Sequence, residues 1–158
     1  MGRHSYEAWR GDVGLFPANT LFHHAFYLQL PRPLVQGRTY TVQVGSLPAE
    51  VKQSISLVMD PGLYTPVIKV NQVAYSGRAS QRFAYLGWWA GDLGTVDYAD
   101  LTAYEVIDTA NGKSVARGTA VLRADADERS GERVWEMDLS KLSAGRRYMV
   151  RVDGLGSS

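Results

Sequence analysis

The sequence contains no cysteine, which removes disulfides, thiolate metal sites and cysteine nucleophiles from consideration. That absence does not fix a compartment, because many exported proteins also do without cysteine. A dominant charge is missing too. Lys+Arg 17 stand against Asp+Glu 16, a formal net charge of +1, so no strong field draws the chain to nucleic acid or to an anionic membrane surface. No apolar run follows the opening Met1-Gly2-Arg3-His4-Ser5-Tyr6-Glu7, so neither a signal peptide nor a membrane helix is expected in these residues. Long stretches of 3.6-residue periodicity are absent, as are a phosphate loop, a G-x-S-x-G nucleophile turn and a dinucleotide-binding glycine fingerprint. Large helical enzymes, nucleotide-binding α/β enzymes and disulfide scaffolds are all disfavoured on these grounds.

What the sequence does have is the composition of a globular protein. Its 158 residues are 45% apolar and 21% charged, which suits one domain or two small ones and not a disordered chain. With 16 Gly, 9 Tyr and 4 Trp it leans toward an aromatic, turn-rich β protein. Period-2 alternation recurs: Phe26/Leu28/Leu30, Tyr40/Val42/Val44, Ile55/Leu57/Met59, Trp135/Met137/Leu139 and Tyr148/Val150/Val152 each alternate with mostly polar neighbours. Such runs put one face on a core and the other toward water. The run Phe83–Trp89 is apolar at both parities, which predicts a central strand covered on both sides or a strand whose outer face meets a partner.

Turn signals separate these runs and predict roughly ten strands at sandwich-like spacing. Asn111-Gly112 predicts a type I′ hairpin between Tyr104–Thr109 and Lys113–Val121. Gly118 inside a strand pattern predicts a bulge. One or two helical turns are expected over Pro48–Gln53 and a short 3₁₀ turn over Ser140–Leu142. Two prolines and a glycine in Asp60–Pro66 read as a crossing segment. The chain therefore divides into a smaller β-rich segment, 1–66, and a stretch of immunoglobulin-domain size, 67–158. Residues 1–66 either pack on the second part or form the end of a preceding β domain.

Within 67–158, Val70-Asn71-Gln72-Val73-Ala74-Tyr75 and then Gln81-Arg82-Phe83-Ala84 resemble the opening strands of the N-terminal immunoglobulin-like domain of family 9 glycoside hydrolases. Tyr104-Glu105-Val106-Ile107-Asp108 with Asn111-Gly112 is similar to that family's F-x-V-x-D-x-x-x-G hairpin. Asp138-Leu139-Ser140, Leu142, Gly145 and Tyr148 resemble its D-F-S-x-L…G-x-Y ending, and Val152-Asp153-Gly154 its V-x-G. Ala74 stands where the family has Gly, and Leu139 where it has Phe. The sequence ends where the family is expected to add one more strand.

The resemblance implies an all-β, antiparallel, Greek-key immunoglobulin-like β-sandwich. It also implies a catalytic glycoside hydrolase domain as partner in cis, and a parent protein that is secreted or periplasmic.

The motif residues have architectural readings. Asn71 and Gln72 carry amides that can fix a turn, and Asp138 or Ser140 can cap a short turn before Gly145. Tyr75 belongs to the same opening motif. The Tyr148 hydroxyl can bond the backbone as in a tyrosine corner.

Catalytic residues are not carried over. An inverting glycosidase needs two carboxylates about 6.5–9.5 Å apart across a cleft, and in that family they lie in an α/α barrel larger than this chain. Ala90-Gly91-Asp92 only superficially matches the barrel's D-A-G-D. His23 and His24 point to opposite faces if extended and, even with His4, make a poor metal site. The spacing after Asp125 and Asp127 does not fit an EF-hand loop, so a solvated hairpin tip is the better reading and Ca²⁺ binding the lesser one. No cofactor is expected.

Trp88, Trp89 and Tyr98 are the candidate contact residues. One tryptophan of the adjacent pair is expected in the core. The other covers an interface with 1–66 or with a catalytic domain, or stacks on a poly- or oligosaccharide ring.

The function expected is a non-catalytic accessory module of a family 9-like glycoside hydrolase that packs on and stabilises a catalytic α/α barrel outside this sequence; the alternatives are a stand-alone carbohydrate-binding module that uses exposed aromatics and an unrelated adhesion or interaction sandwich. Neither a nucleic acid nor a membrane is an expected partner.

Overall fold

The structure is a computed structural model that describes residues 2–9, 20–43 and 54–158, with side chains from residue 25 onward. Among the described residues twelve strands run in order: β1 (Gly2–Trp9), β2 (Thr20–Tyr27), β3 (Thr39–Gln43), β4 (Ser54–Val58), β5 (Ile68–Lys69), β6 (Phe83–Leu86), β7 (Ala103–Asp108), β8 (Lys113–Thr119), β9 (Val121–Ala124), β10 (Val134–Asp138), β11 (Tyr148–Val152) and β12 (Gly156–Ser157). Val44 and the turn expected over Pro48–Gln53 lie outside the described residues. The strand of the first alternating run ends at Tyr27, and beyond it Leu28 and Leu30 are exposed.

Strands β5–β12 form two four-stranded sheets, ordered β5-β6-β10-β9 and β12-β11-β7-β8, with antiparallel pairing throughout. This is the order of an immunoglobulin sandwich with one extra strand, β8, beside the central strand of the second sheet. The inward parities named by the sequence meet between the sheets. Ile68, Ala84, Leu86 and Met137 come from one sheet, and Tyr104, Val106, Val150 and Val152 from the other. Tyr98, Ala120 and Leu139 complete that core from the connections. The switch between sheets takes one residue, buried Ala120, so the run expected to continue to Val121 is two strands in different sheets.

The segment before β5 is tied into the second sheet. Tyr64 bridges Ser157 in parallel, the Thr65 amide donates to the Ser157 carbonyl at 2.8 Å, and the Ser157 amide donates to the Leu63 carbonyl at 2.8 Å. Residues 62–65 thus extend the edge beyond β12 before the chain crosses to β5. The last strand, expected to be missing, is β12 itself.

Upstream, β1–β2 and β3–β4 are separate antiparallel pairs. The ring of Tyr27, at the end of β2, meets Trp88 edge-on, with centroids 6.4 Å apart.

Two local expectations are corrected. The hairpin at Asn111-Gly112 forms, but with a four-residue loop, 109–112, between the paired Asp108 and Lys113. Asp108 closes that loop: its carbonyl accepts from Gly112 N at 2.8 Å and its carboxylate from Ala110 N at 2.9 Å. A two-residue type I′ turn offers no such carboxylate cap; longer loops are built around type I geometry. The bulge lies at Val115, where the register shifts between Val106↔Ala116 and Ile107↔Ser114, and not at Gly118. Gly118 pairs with Tyr104 and leaves room for that ring, whose hydroxyl crosses to donate to the Asp138 carbonyl at 3.0 Å. A Cβ at Gly118 would sit 2.6 Å from the Tyr104 hydroxyl and 2.7 Å from the ring.

Gly118→Ala is accordingly expected to lower stability by about 1–3 kcal/mol through overpacking. Urea denaturation of Gly118→Ala in a Tyr104→Ala background, where the clash is gone, checks the cause: the penalty should disappear.

Candidate functional site

The residues of the ordered motifs occupy the corners of the sandwich, and most of their polar side chains are used on backbone. The Asn71 carboxamide accepts from the amides of Val73 at 3.0 Å and Ala74 at 3.2 Å, turning the chain after β5. The Tyr75 hydroxyl accepts from Asn71 N at 3.1 Å and donates to the Phe83 carbonyl at 2.5 Å, which closes this loop onto β6. Gln72 is exposed and makes no such bond among the described residues. Asp138 accepts from Ser140 N at 2.8 Å, and the Ser140 hydroxyl and amide hold its carboxyl below the usual range. Gly145 is left-handed (φ 74°) where the chain turns back toward β11. The Tyr148 hydroxyl donates to the Ser143 carbonyl five residues upstream, at 3.1 Å.

Two further anchors have partners that the sequence did not signal, because each acts on a chain segment about forty or more residues away. The Arg82 guanidinium donates to the carbonyls of Leu142 and Ser140, both at 3.0 Å. Arg146 pairs with Asp108 at 2.7 Å, and that carboxylate is 1% exposed. The Ala110 amide first, and then Arg146, keep the Asp108 carboxyl below its ordinary value.

The three aromatic candidates separate. Strand β6 stops at Leu86, so Trp88 and Trp89 are not strand neighbours on opposite faces; they lie in the excursion that follows. Trp88 is half-buried against the core, edge-on to Tyr27, with the Lys69 ammonium 5.9 Å from its ring centroid. Lys69 is itself paired with Glu132. Trp89 is 43% exposed, and its ring rests on Gly131, where a Cβ would come within 3.1 Å of it. Leu93, in the 3₁₀ turn Gly91–Leu93, is exposed on the same excursion. Tyr98 leaves the contact group: it is buried in the core, and burial together with the Glu132 charge pushes its hydroxyl up to about 12. No surface partner can stack on it. Exposed Asp92 belongs to the 3₁₀ turn.

Around Trp89 the polar groups are arranged by one arginine. Arg133 N donates to the Thr95 hydroxyl at 2.7 Å, directly beside the bridge Trp89↔Thr95. Its guanidinium donates to Asp97 at 2.8 Å and places Nε 3.1 Å from Asp125, within ion-pair distance but off the axis of a hydrogen bond. The Asp127 carboxylate faces its own turn, accepting from the amides of Arg129 and Ser130 at 3.0 Å each, and these hold its carboxyl low. Asp125 and Asp127 are thus engaged in different directions. The strand β2 contains His23 and His24, whose side chains, like that of His4, are outside those described.

A second polar group lies on the outer face of the other sheet. Arg117, Glu105 and Arg151 are successive cross-strand neighbours on β8, β7 and β11. Glu105 accepts from Arg117 Nε at 3.1 Å and Nη2 at 2.8 Å, and also from Arg151 Nη2. The Ser114 hydroxyl, Arg117 and Arg151 together bring the Glu105 carboxyl down to about 2. Alternation alone indicates only that these three residues face outward; the register of three strands brings them into one row.

A family model described as cellulase N-terminal ig-like domain matches residues 64–157. No curated protein and no solved structure matches the chain.

Two outcomes follow from the geometry. Trp88→Ala is expected to cost about 2–4 kcal/mol in urea unfolding, as buried aromatic truncations do, and Trp89→Ala less than half of that. Glu105, with its folded value below the unfolded value of about 4.3, stabilises the fold above that pH, and the contribution disappears as pH falls toward 2. Urea midpoints measured from pH 5 to 2 should fall, with Asp108 acting in the same direction, and the fall should be shallower in Glu105→Gln.

Proposed function

Because the chain belongs to the cellulase N-terminal Ig-like domain family, we propose that it is a non-catalytic accessory module of a family 9-like glycoside hydrolase. In this reading the module packs on and stabilises a catalytic α/α barrel supplied by the same polypeptide in cis, and the parent protein is exported to the periplasm or secreted. The observation that carries the reading is the use made of the motif residues. Asn71, Tyr75, Arg82, Asp108, Asp138 and Tyr148 all hold backbone corners in place. None is a free acid or base facing a cleft, as glycoside hydrolysis would need.

The docking surface in this reading is the end of the sandwich around Trp89. Its indole is exposed yet seated on Gly131, exposed Leu93 is on the same excursion, and Arg133, which pairs with Asp97 and Asp125, is tied to the Trp89↔Thr95 bridge through its amide. An aromatic centre with a polar rim is the composition of a protein interface. A ring already held in place loses little entropy when it is covered.

Of residues 1–66, those before Gly62 are read as the end of a preceding β domain, because 62–65 already extend the edge of the sandwich. The β3–β4 ribbon supports this. Tyr40, Val42, Ile55 and Leu57 share one face, Thr39, Thr41, Gln43, Ser54, Ser56 and Val58 the other, and Ile55 is 54% exposed. A two-stranded ribbon with an open apolar face is marginal by itself.

The full-length parent protein tests the reading by calorimetry. Trp89→Ala is expected to lower the transition of the catalytic domain by about 3 °C or more, since 1 kcal/mol of lost coupling shifts a domain of that size by a few degrees. An unchanged transition, or hydrolysis of a β-glucan by the 158-residue chain alone, would sink it.

A further inference from the structure

The strongest unassigned feature is a groove on the outer face of sheet β12-β11-β7-β8, on the face opposite the core. It has a volume of about 370 Å³, and its lining includes Glu105, Arg117, Arg151 and Asp153 from the sandwich with Gln36 and Pro61 from the preceding segment. That volume falls in the range of small-molecule sites and would take one or two sugar rings. We propose that this groove is a binding subsite for a neutral saccharide.

Charge is the first argument. The lining carries two guanidinium groups and two carboxylates, so the field of an anion site is missing, and a phosphate or sulfate would gain little over bulk water. The second argument is the free hydrogen-bonding capacity. Glu105 is consumed: both its oxygens accept from the flanking arginines. That holds the two guanidinium planes in fixed positions and leaves other edges unspent. Arg117 Nη1 and Arg151 Nε and Nη1 meet no acceptor among the described residues, and the side chains of Asp153 and Gln36, both exposed, make no hydrogen bond there either.

Fixed donors at one side and free acceptors at another match the paired donor and acceptor capacity of vicinal hydroxyls. Pro61 adds the apolar contact that the C–H face of a pyranose ring requires. The pre-formed Arg117–Glu105–Arg151 row lowers the ordering cost of binding. A ligand here would also contact both the sandwich and the segment before it, so binding would couple the two.

The subsite itself rests on the groove; only the choice of β-glucan as first probe rests on the accessory-module reading. The test is a ¹⁵N–¹H titration of the 158-residue chain with cellotetraose, with xylotetraose and chitotetraose run beside it. Saturable shifts centred on Glu105, Arg117, Arg151 and Asp153 are expected with at least one of them, at an affinity on the order of 1 mM. Arg117→Met and Asp153→Asn should each weaken it about tenfold or more, as the loss of a hydrogen bond to a charged group does. Arg117 is 77% exposed, so its replacement leaves the core intact, and the variant's own spectrum checks this.

Three results would overturn the subsite: no shifts with any of the three sugars at about ten times that concentration, shifts centred on Trp89 instead, or displacement of the sugar by sulfate or glucuronate at equal concentration. No catalytic domain is present in the titration, so its failure leaves the docking reading standing, and a failure of docking leaves the titration interpretable.

Discussion

Burial of a single apolar layer between two four-stranded sheets is the constraint from which the rest of the structure follows. Ile68, Ala84, Leu86 and Met137 on one side, and Tyr104, Val106, Val150 and Val152 on the other, can only meet if β5-β6-β10-β9 and β12-β11-β7-β8 lie face to face. That requirement forces the chain to change sheets between β8 and β9. It also brings the segment before β5 alongside β12. Sheets packed in this way place their inner side chains in one shared layer, and every connection must then close over its ends.

The polar residues take their roles from that closure. A corner between strands in different sheets leaves backbone amides and carbonyls without ladder partners, and buried backbone groups must be satisfied. Asn71 and Tyr75 do this in the loop after β5, Arg82 and Tyr148 in the turn 140–143, and Asp108 in the loop 109–112. The polar atoms of these side chains are spent on the backbone of the sandwich itself. This is why a sequence with many Asp, Glu, Tyr and Arg residues can be read as an accessory module.

What is left over is unevenly distributed, and the function is read from there. At one end Trp89 stands exposed on Gly131; across the second sheet the Arg117–Glu105–Arg151 row borders a groove. The first suits another protein surface and the second a small polyhydroxylated molecule. They lie in different parts of the sandwich, so one could be occupied without blocking the other.

Much of the fold was legible in the residues. The inward parities of Trp135/Met137/Leu139 and Tyr148/Val150/Val152, the crossing at Asp60–Pro66 and the order of the motifs all follow from local chemistry: alternation records which face is buried, and Gly, Pro and Asn record where the backbone must turn. Where the outcome depended on a distant segment, local reading was less exact. The bulge lies at Val115, while Gly118 stays in register opposite Tyr104 and leaves room for its ring. Tyr98 is core and Trp89 is surface, although both look alike in sequence, because the strand ends at Leu86 and the excursion beyond it folds back. The partners of Arg82, Asp108 and Glu105 are set by register across strands far apart in the chain. Periodicity and turn chemistry are properties of a few neighbouring residues, so the sequence determined the sandwich. Exposure, ion pairing and the shape of a groove depend on which segments meet, and those only the tertiary structure decided.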